Sequence, residues 1–155
     1  MVKASGLRIV AAASGGGHWE QIMLLREAFA EHEVHYLTTN AELIYRASID
    51  PSNAYVVGDC NRSTPFLALL SCARAICFVL TVRPDIVIST GALPGLFCVI
   101  AARLIGRKAI WIDSIANVEK LSMCGTVASR VASLCLTQWE HLATERGPKY
   151  AGSVL

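Results

Sequence analysis

Leu7-Arg8-Ile9-Val10-Ala11-Ala12-Ala13-Ser14-Gly15-Gly16-Gly17-His18-Trp19 runs from an apolar stretch through three glycines into a helical pattern. A strand, a glycine-rich turn and a helix in that order make a place to hold phosphate. Glycine lacks Cβ, so the backbone can take positive φ and approach a ligand closely, while the first N–H groups of the helix present positive charge to an anion. Beyond Trp19, the apolar residues Ile22, Leu25 and Phe29 fall on one helical face and Arg26, Glu27 and Glu31 mostly elsewhere.

The same alternation continues along the chain. Strand-like runs rich in branched residues occur at 7–13, 34–39, 54–57, 85–90, 108–113 and 134–137, with a further one at 150–155. Helical patterns fill the intervals at 41–49, 64–82, 92–105, 125–133 and 138–146. Runs such as Ile86-Val87-Ile88 are continuously apolar instead of alternating, which is the pattern of strands covered on both faces. The reading is an α/β fold: a doubly wound, mostly parallel sheet with helices on both faces, built from residues 1–155 as one domain. Ligands of such sheets bind beyond the carboxyl ends of the strands. Here that edge carries Ser14 to His18, Thr39-Asn40, Ser89-Thr90-Gly91, Asp113-Ser114 and Gln138-Trp139.

Composition narrows the function classes. With 155 residues, 54% hydrophobic and 17% charged, the chain has ample material for a core. Its formal charge of +2 and the absence of a basic block argue against nucleic acid as a partner. The six cysteines, Cys60, Cys72, Cys77, Cys98, Cys124 and Cys135, lie in apolar surroundings without C-x-x-C spacing. They read as reduced, buried thiols and not as a zinc site or a disulfide frame. No metal or other cofactor is expected. Residues 1–6 are too few for a signal peptide or spanning anchor, so a cytoplasmic protein is expected.

The glycine loop does not match the common nucleotide fingerprints. Counted from Gly15, a G-x-G-x-x-G pattern finds Gly17 and then Glu20 in the third place. The second strand ends in Thr38-Thr39-Asn40, without an acidic residue for a ribose. A P-loop would need a lysine and a hydroxyl residue closing the loop, and neither is present. A plain tight turn is the remaining alternative, although three glycines between Ser14 and His18 exceed what a turn requires.

In these residues the chain resembles a known family. Its glycine-glycine-histidine loop is similar to that of GT-B glycosyltransferases acting on polyprenyl-diphosphate-linked sugars, and the whole looks like the Alg14-like proteins. Those are the acceptor-side halves of split transferases in N-glycan and bacterial exopolysaccharide assembly. Ile88-Ser89-Thr90-Gly91-Ala92, Trp111-Ile112-Asp113-Ser114-Ile115-Ala116 and Thr137-Gln138-Trp139 carry the resemblance further, from Arg8 to Leu155. Many bacterial members have glutamate and phenylalanine where Asp113 and Ile115 stand, and eukaryotic members usually carry an N-terminal membrane helix.

The resemblance implies one Rossmann-like half of a GT-B enzyme performing inverting, metal-independent transfer. The other half would be a separate, donor-binding, Alg13-like subunit. The expected acceptor-diphosphate site is Ser14, Gly15, Gly16, Gly17 and His18, with Thr90 and Gly91 forming a second wall. His18 would touch a phosphate or take a proton from the attacking hydroxyl, a role suited to a side chain that titrates around neutrality; a purely local hydrogen bond is the alternative. Asp113 would accept a proton or orient His18, against the alternative of an N-cap or turn residue. Asn117 and Glu119 are weaker candidates, and Pro94 reads as a helix-start residue. Gln138, Trp139, Val154 and Leu155 would dock the partner, with core packing the competing explanation for Trp139.

Phe66 to Val82 is apolar almost all round, opened by Thr64-Pro65 and interrupted by Arg74. Such a segment spans a bilayer poorly and suits a core helix or one pressed on a surface. A lipid-linked acceptor favours peripheral contact at the inner face of the cytoplasmic membrane; Arg62 and Arg83 flank the segment, and Arg74 would snorkel toward lipid phosphates or ion-pair within the fold. The competing functions are a free-standing nucleotide-sugar or dinucleotide-binding enzyme and a noncatalytic membrane tether.

Overall fold

The computed structural model of the protein describes residues 6–58 and 65–154. Seven strands form one sheet, β1 (Arg8–Ala13), β2 (Glu33–Thr38), β3 (Ala54–Val56), β4 (Ile86–Gly91), β5 (Lys108–Ile112), β6 (Leu134–Thr137) and β7 (Lys149–Tyr150). Their order is β3-β2-β1-β4-β5-β6-β7 and every pairing is parallel. This is the doubly wound sheet expected from the continuously apolar runs. The order reverses between β1 and β4, so their carboxyl ends open a crevice at the topological switch point.

Among the described residues, five helices cover the sheet: α1 (Gly17–Leu24), α2 (Ala41–Arg46), α3 (Pro65–Val82), α4 (Ala92–Leu104) and α5 (Met123–Val131). Alternate residues of β1 divide between two cores. Val10 and Ala12 join Ala75 and Val79 of α3, Val99 and Ala102 of α4, and Trp111. Ile9, Ala11 and Ala13 join Trp19 and Ile22 of α1, Ile44 of α2, and Phe29 from the turn between α1 and β2, on the opposite face. Helices on both faces explain why the strands show no polar alternation.

Some expected boundaries change for local reasons. The helix read from Trp19 through Phe29 breaks after Leu24 into a 3-10 turn at Arg26–Phe29. The helix at 41–49 ends at Arg46, with Ser48 at φ 51°. Helix α5 begins before Gly125 because Ser122 Oγ caps it by accepting the Gly125 N–H. The helix expected over 138–146 is absent: Trp139 is extended and only Glu140–Leu142 turns, the chain then folding back so that Thr144 N–H meets the Pro148 carbonyl. The strand expected at 150–155 is the short β7, and Leu155 lies outside the described residues.

Cys72, Cys98 and Cys135 are buried as expected, and burial pushes the Cys98 thiol well up and Cys135 up to about 12. Cys77 differs. It is exposed because it stands on the outer side of α3, away from the sheet. Cys60, Arg62 and Thr64 lie outside the described residues.

Candidate functional site

The turn after β1 places Gly16 and Gly17 at the mouth of the crevice. Gly16 has φ 75°, and a Cβ at either glycine would meet nothing within 4 Å. Helix α1 starts at Gly17 with Gly16 as N-cap and no side-chain cap. Among the described residues, no hydrogen bond takes the N–H of Gly16 or Gly17, so these donors face open space at the positive end of a helix. The neighbouring Gly15 differs from expectation. Its N–H is already donated to Thr39 Oγ1 at 3.0 Å, which fixes the loop to the end of β2 instead of presenting a donor outward. Ser14 is half-buried beside it.

Across the crevice, β4 carries an irregularity. Ala12 pairs with Ser89 but Ala13 pairs with Gly91, leaving Thr90 as an extra residue. Bulges of this kind re-aim side chains beside sites. Here the bulge turns both polar groups of Thr90 toward His18: Thr90 Oγ1 donates to the His18 carbonyl at 2.6 Å, and the Thr90 carbonyl lies 2.9 Å from His18 Nδ1. A carbonyl only accepts, so Nδ1 carries the ring proton and Nε2 keeps the lone pair.

Gly91 completes the lock. Its φ is 150°, and a Cβ there would overlap the His18 ring. The imidazole therefore lies directly on the Gly91 backbone, a close approach open only to glycine. The next residue, Ala92, opens α4 at φ 68°, a costly conformation for a residue with a side chain. Pro94 is buried in the first turn of α4, as its helix-start reading requires.

Asp113 stands elsewhere and does not orient His18, whose Nδ1 is held by Thr90. It is 2% exposed, and its Oδ1 accepts from Trp111 Nε1 at 3.0 Å and Ser122 Oγ at 2.6 Å. Its Oδ2 accepts from Asn117 Nδ2 at 3.0 Å and Ser122 N–H at 2.8 Å. The carboxylate thus ties β5 to the loop at 114–122 and the start of α5, and Gly125 is there because a Cβ would overlap Asp113 Oδ1. Asn117 belongs to this knot and Glu119 does not.

Gln138 is also internal. At 5% exposed it does not stand on a surface; its Nε2 donates to Gln21 Oε1 at 2.6 Å and to the Asp113 carbonyl at 3.0 Å. Trp139 is half-buried and donates Nε1–H to the Ile115 carbonyl at 2.8 Å, so it braces the 114–122 loop instead of filling either core. Val154 is half-buried, and its N–H reaches Gln138 Oε1 at 3.1 Å.

The sequence reading passed over Gln21. It is 4% exposed, donates to the Gly17 carbonyl at 3.1 Å and to Ser114 Oγ at 3.0 Å, and accepts from Ile115 N–H at 3.2 Å. Its only sequence signal is a polar residue adjoining Ile22 on the buried side of α1.

Comparison with known proteins agrees with this architecture. A family model described as "Oligosaccharide biosynthesis protein Alg14 like" matches residues 36–154. The human protein named UDP-N-acetylglucosamine transferase subunit ALG14 is 30% identical, the match covering 96% of this chain and 83% of that protein. Among solved structures, MurG of Acinetobacter baumannii superposes with a TM-score of 0.75 at 17% identity, covering 93% of this chain and 45% of that one. UDP-N-acetylglucosamine 2-epimerase of Rickettsia bellii gives 0.72 at 12%, covering 96% and 45%. This chain therefore spans less than half the length of those solved chains, and the likeness to them is one of fold: a Rossmann-like, GT-B-type domain. By the match over residues 36–154 and the identity to the human subunit, the chain belongs to the Alg14-like family.

Proposed function

We propose that this protein is the acceptor-binding subunit of a two-component inverting glycosyltransferase that moves a sugar from a nucleotide sugar to a polyprenyl-diphosphate-linked glycan. The observation that carries the reading is the crevice between β1 and β4, where uncapped N–H groups at Gly16 and Gly17 adjoin an imidazole whose tautomer is set by Thr90. A diphosphate would sit on the loop and the start of α1. The acceptor hydroxyl attacks the anomeric carbon as the nucleoside diphosphate departs, and its proton passes to His18 Nε2. The Thr90 carbonyl supports the imidazolium at Nδ1–H.

The donor would be gripped by a separate Alg13-like subunit, a reading supported by the chain's family and by its human relative, which is named a transferase subunit. The 114–122 loop braced by Trp139, together with the segment at 151–154, would form the docking side. Co-expression of both chains should yield transfer to a polyprenyl-diphosphate sugar while either chain alone yields none. Transfer by this chain alone, or tight binding of a nucleotide sugar to it, would favour a free-standing enzyme instead.

We further infer peripheral membrane contact through α3. The helix passes the length and hydropathy of a membrane span, yet only 22% of that window is buried. Phe66 and Leu69 are 77% and 67% exposed, with Leu67 and Leu70 beside them. Ser71 Oγ donates to the Val57 carbonyl, so this apolar turn lies at the carboxyl edge of the sheet, the end that carries the glycine loop. Such a surface presses into the headgroup region while Arg74 stays exposed toward lipid phosphates. Sedimentation with anionic liposomes at low salt should carry the protein into the pellet, and Phe66→Ser with Leu69→Ser should return it to the supernatant. A parent protein that stays in solution overturns this contact.

A further inference from the structure

Gln21 and Gln138 form a continuous buried link between the glycine loop and the segment at 151–154. Gln21 uses both amide hydrogens, toward the Gly17 carbonyl and Ser114 Oγ, and both lone pairs, toward Ile115 N–H and Gln138 Nε2. Gln138 continues the chain, its second amide hydrogen on the Asp113 carbonyl and its oxygen on the Val154 N–H. Groups from three loops of the ligand edge therefore meet on two side chains, which a fourth segment reaches from outside. That segment is not packed down tightly. Ala151, Gly152 and Ser153 are exposed, Gly152 has φ 104°, and a cavity of about 170 Å³ separates the segment from Leu25, Ile112 and Leu136.

We propose that Gln21 and Gln138 are positioning residues that convey the placement of segment 151–154 to the glycine loop, so that docking of the donor-binding subunit on that segment readies the loop for a diphosphate. The ligand and the partner rest on the function proposed above; the relay itself rests on the hydrogen bonds. Both amides are buried, Gln21 with all four positions engaged and Gln138 with both hydrogens and its oxygen bonded, so releasing one end leaves an unsatisfied polar group that its neighbours must shift to meet. The neighbour at the far end is the Gly17 carbonyl, at the start of α1. Its peptide adjoins the one that carries the Gly17 N–H facing the crevice. By linkage, a diphosphate on the loop tightens partner binding by the same factor that the partner tightens diphosphate binding.

A double-mutant cycle in the full chain tests this. Val154→Pro deletes the N–H that Gln138 holds, and Gln21→Met removes the amide while keeping the length of the side chain. Two readouts are taken: backbone amide resonances of Gly16, Gly17 and Ile115, and affinity for inorganic pyrophosphate. Val154→Pro should shift those loop resonances although the Val154 N–H bonds Gln138 and none of those three residues, and should weaken pyrophosphate roughly three- to tenfold, the loss of about one hydrogen bond. Gln21→Met should do likewise, and the double variant should be no worse than the stronger single. Unshifted loop resonances in Val154→Pro, or losses that multiply in the double variant, would overturn the relay. If Gln21→Met does not fold, Gln138→Met cuts the same link one step along. A parent chain that fails to bind pyrophosphate would sink the diphosphate site, while the resonances would still decide the relay.

Discussion

With His18 as the proposed general base, replacing it by alanine should lower kcat of the reconstituted two-chain transferase by about a hundred- to ten-thousand-fold, the usual range for loss of a positioned general base. The acceptor KM moves far less, because the N–H groups of Gly16 and Gly17 remain. Folding is nearly untouched: the variant loses the bond to the Thr90 carbonyl, worth about 1 kcal/mol, but keeps the one from Thr90 Oγ1, which ends on the His18 backbone. Pull-down of the donor subunit should also be unchanged. A His18→Ala complex whose main defect is a raised acceptor KM would make the imidazole a phosphate ligand. Full turnover in that variant would remove His18 from the chemistry altogether.

The expectation about His18 shows how far the sequence carries a reading and where it stops. Strand positions were legible because burial on both faces leaves continuous apolar runs, and the glycine loop was legible because three successive glycines stand out locally, Gly16 taking φ 75°. The order β3-β2-β1-β4-β5-β6-β7 then brings the ends of β1 and β4 together. What the sequence does not display is pairing at long range. Thr90 reads as a strand-end residue in a second wall of the site, but nothing local shows that a bulge opposite Ala12 and Ala13 turns it toward His18, 72 positions earlier. Gly91 reads as a helix-start glycine, whereas its lack of Cβ makes room for a ring from another segment.

Gln21 is the plainest case. Its partners Ser114, Ile115 and Gln138 lie 93, 94 and 117 positions away, so no local pattern could distinguish it from a solvent-facing glutamine. The helix expected at 138–146 failed for a related reason. Local periodicity was adequate, but Gln138 is drawn into the interior amide pair and Trp139 into the Ile115 carbonyl, which holds the backbone extended where a helix would begin. Tertiary hydrogen bonds outweigh a modest helical preference.

Asp113→Asn is expected to fold poorly, and the reason separates an anchor from a catalyst. All four partners of the carboxylate are donors: Trp111 Nε1, Ser122 Oγ, Ser122 N–H and Asn117 Nδ2. An ionised carboxylate satisfies them because it only accepts. An asparagine in the same place must turn its NH₂ toward two of those donors, leaving buried groups unpaired on both sides. Each such loss costs about 1–3 kcal/mol, giving roughly 3–5 kcal/mol together. For a chain of this size, about 1 kcal/mol corresponds to roughly 2–4 °C, so melting should fall by about 6–20 °C. Ser122→Ala should reproduce part of the loss, because Ser122 Oγ bonds both Asp113 Oδ1 and the Gly125 N–H that starts α5. Activity of Asp113→Asn should decline in step with the folded fraction. An Asp113→Asn protein that melts within a few degrees of the parent yet loses turnover a hundredfold would return Asp113 to the reaction itself, because only a group touching the reacting atoms can lose rate without losing the knot it ties.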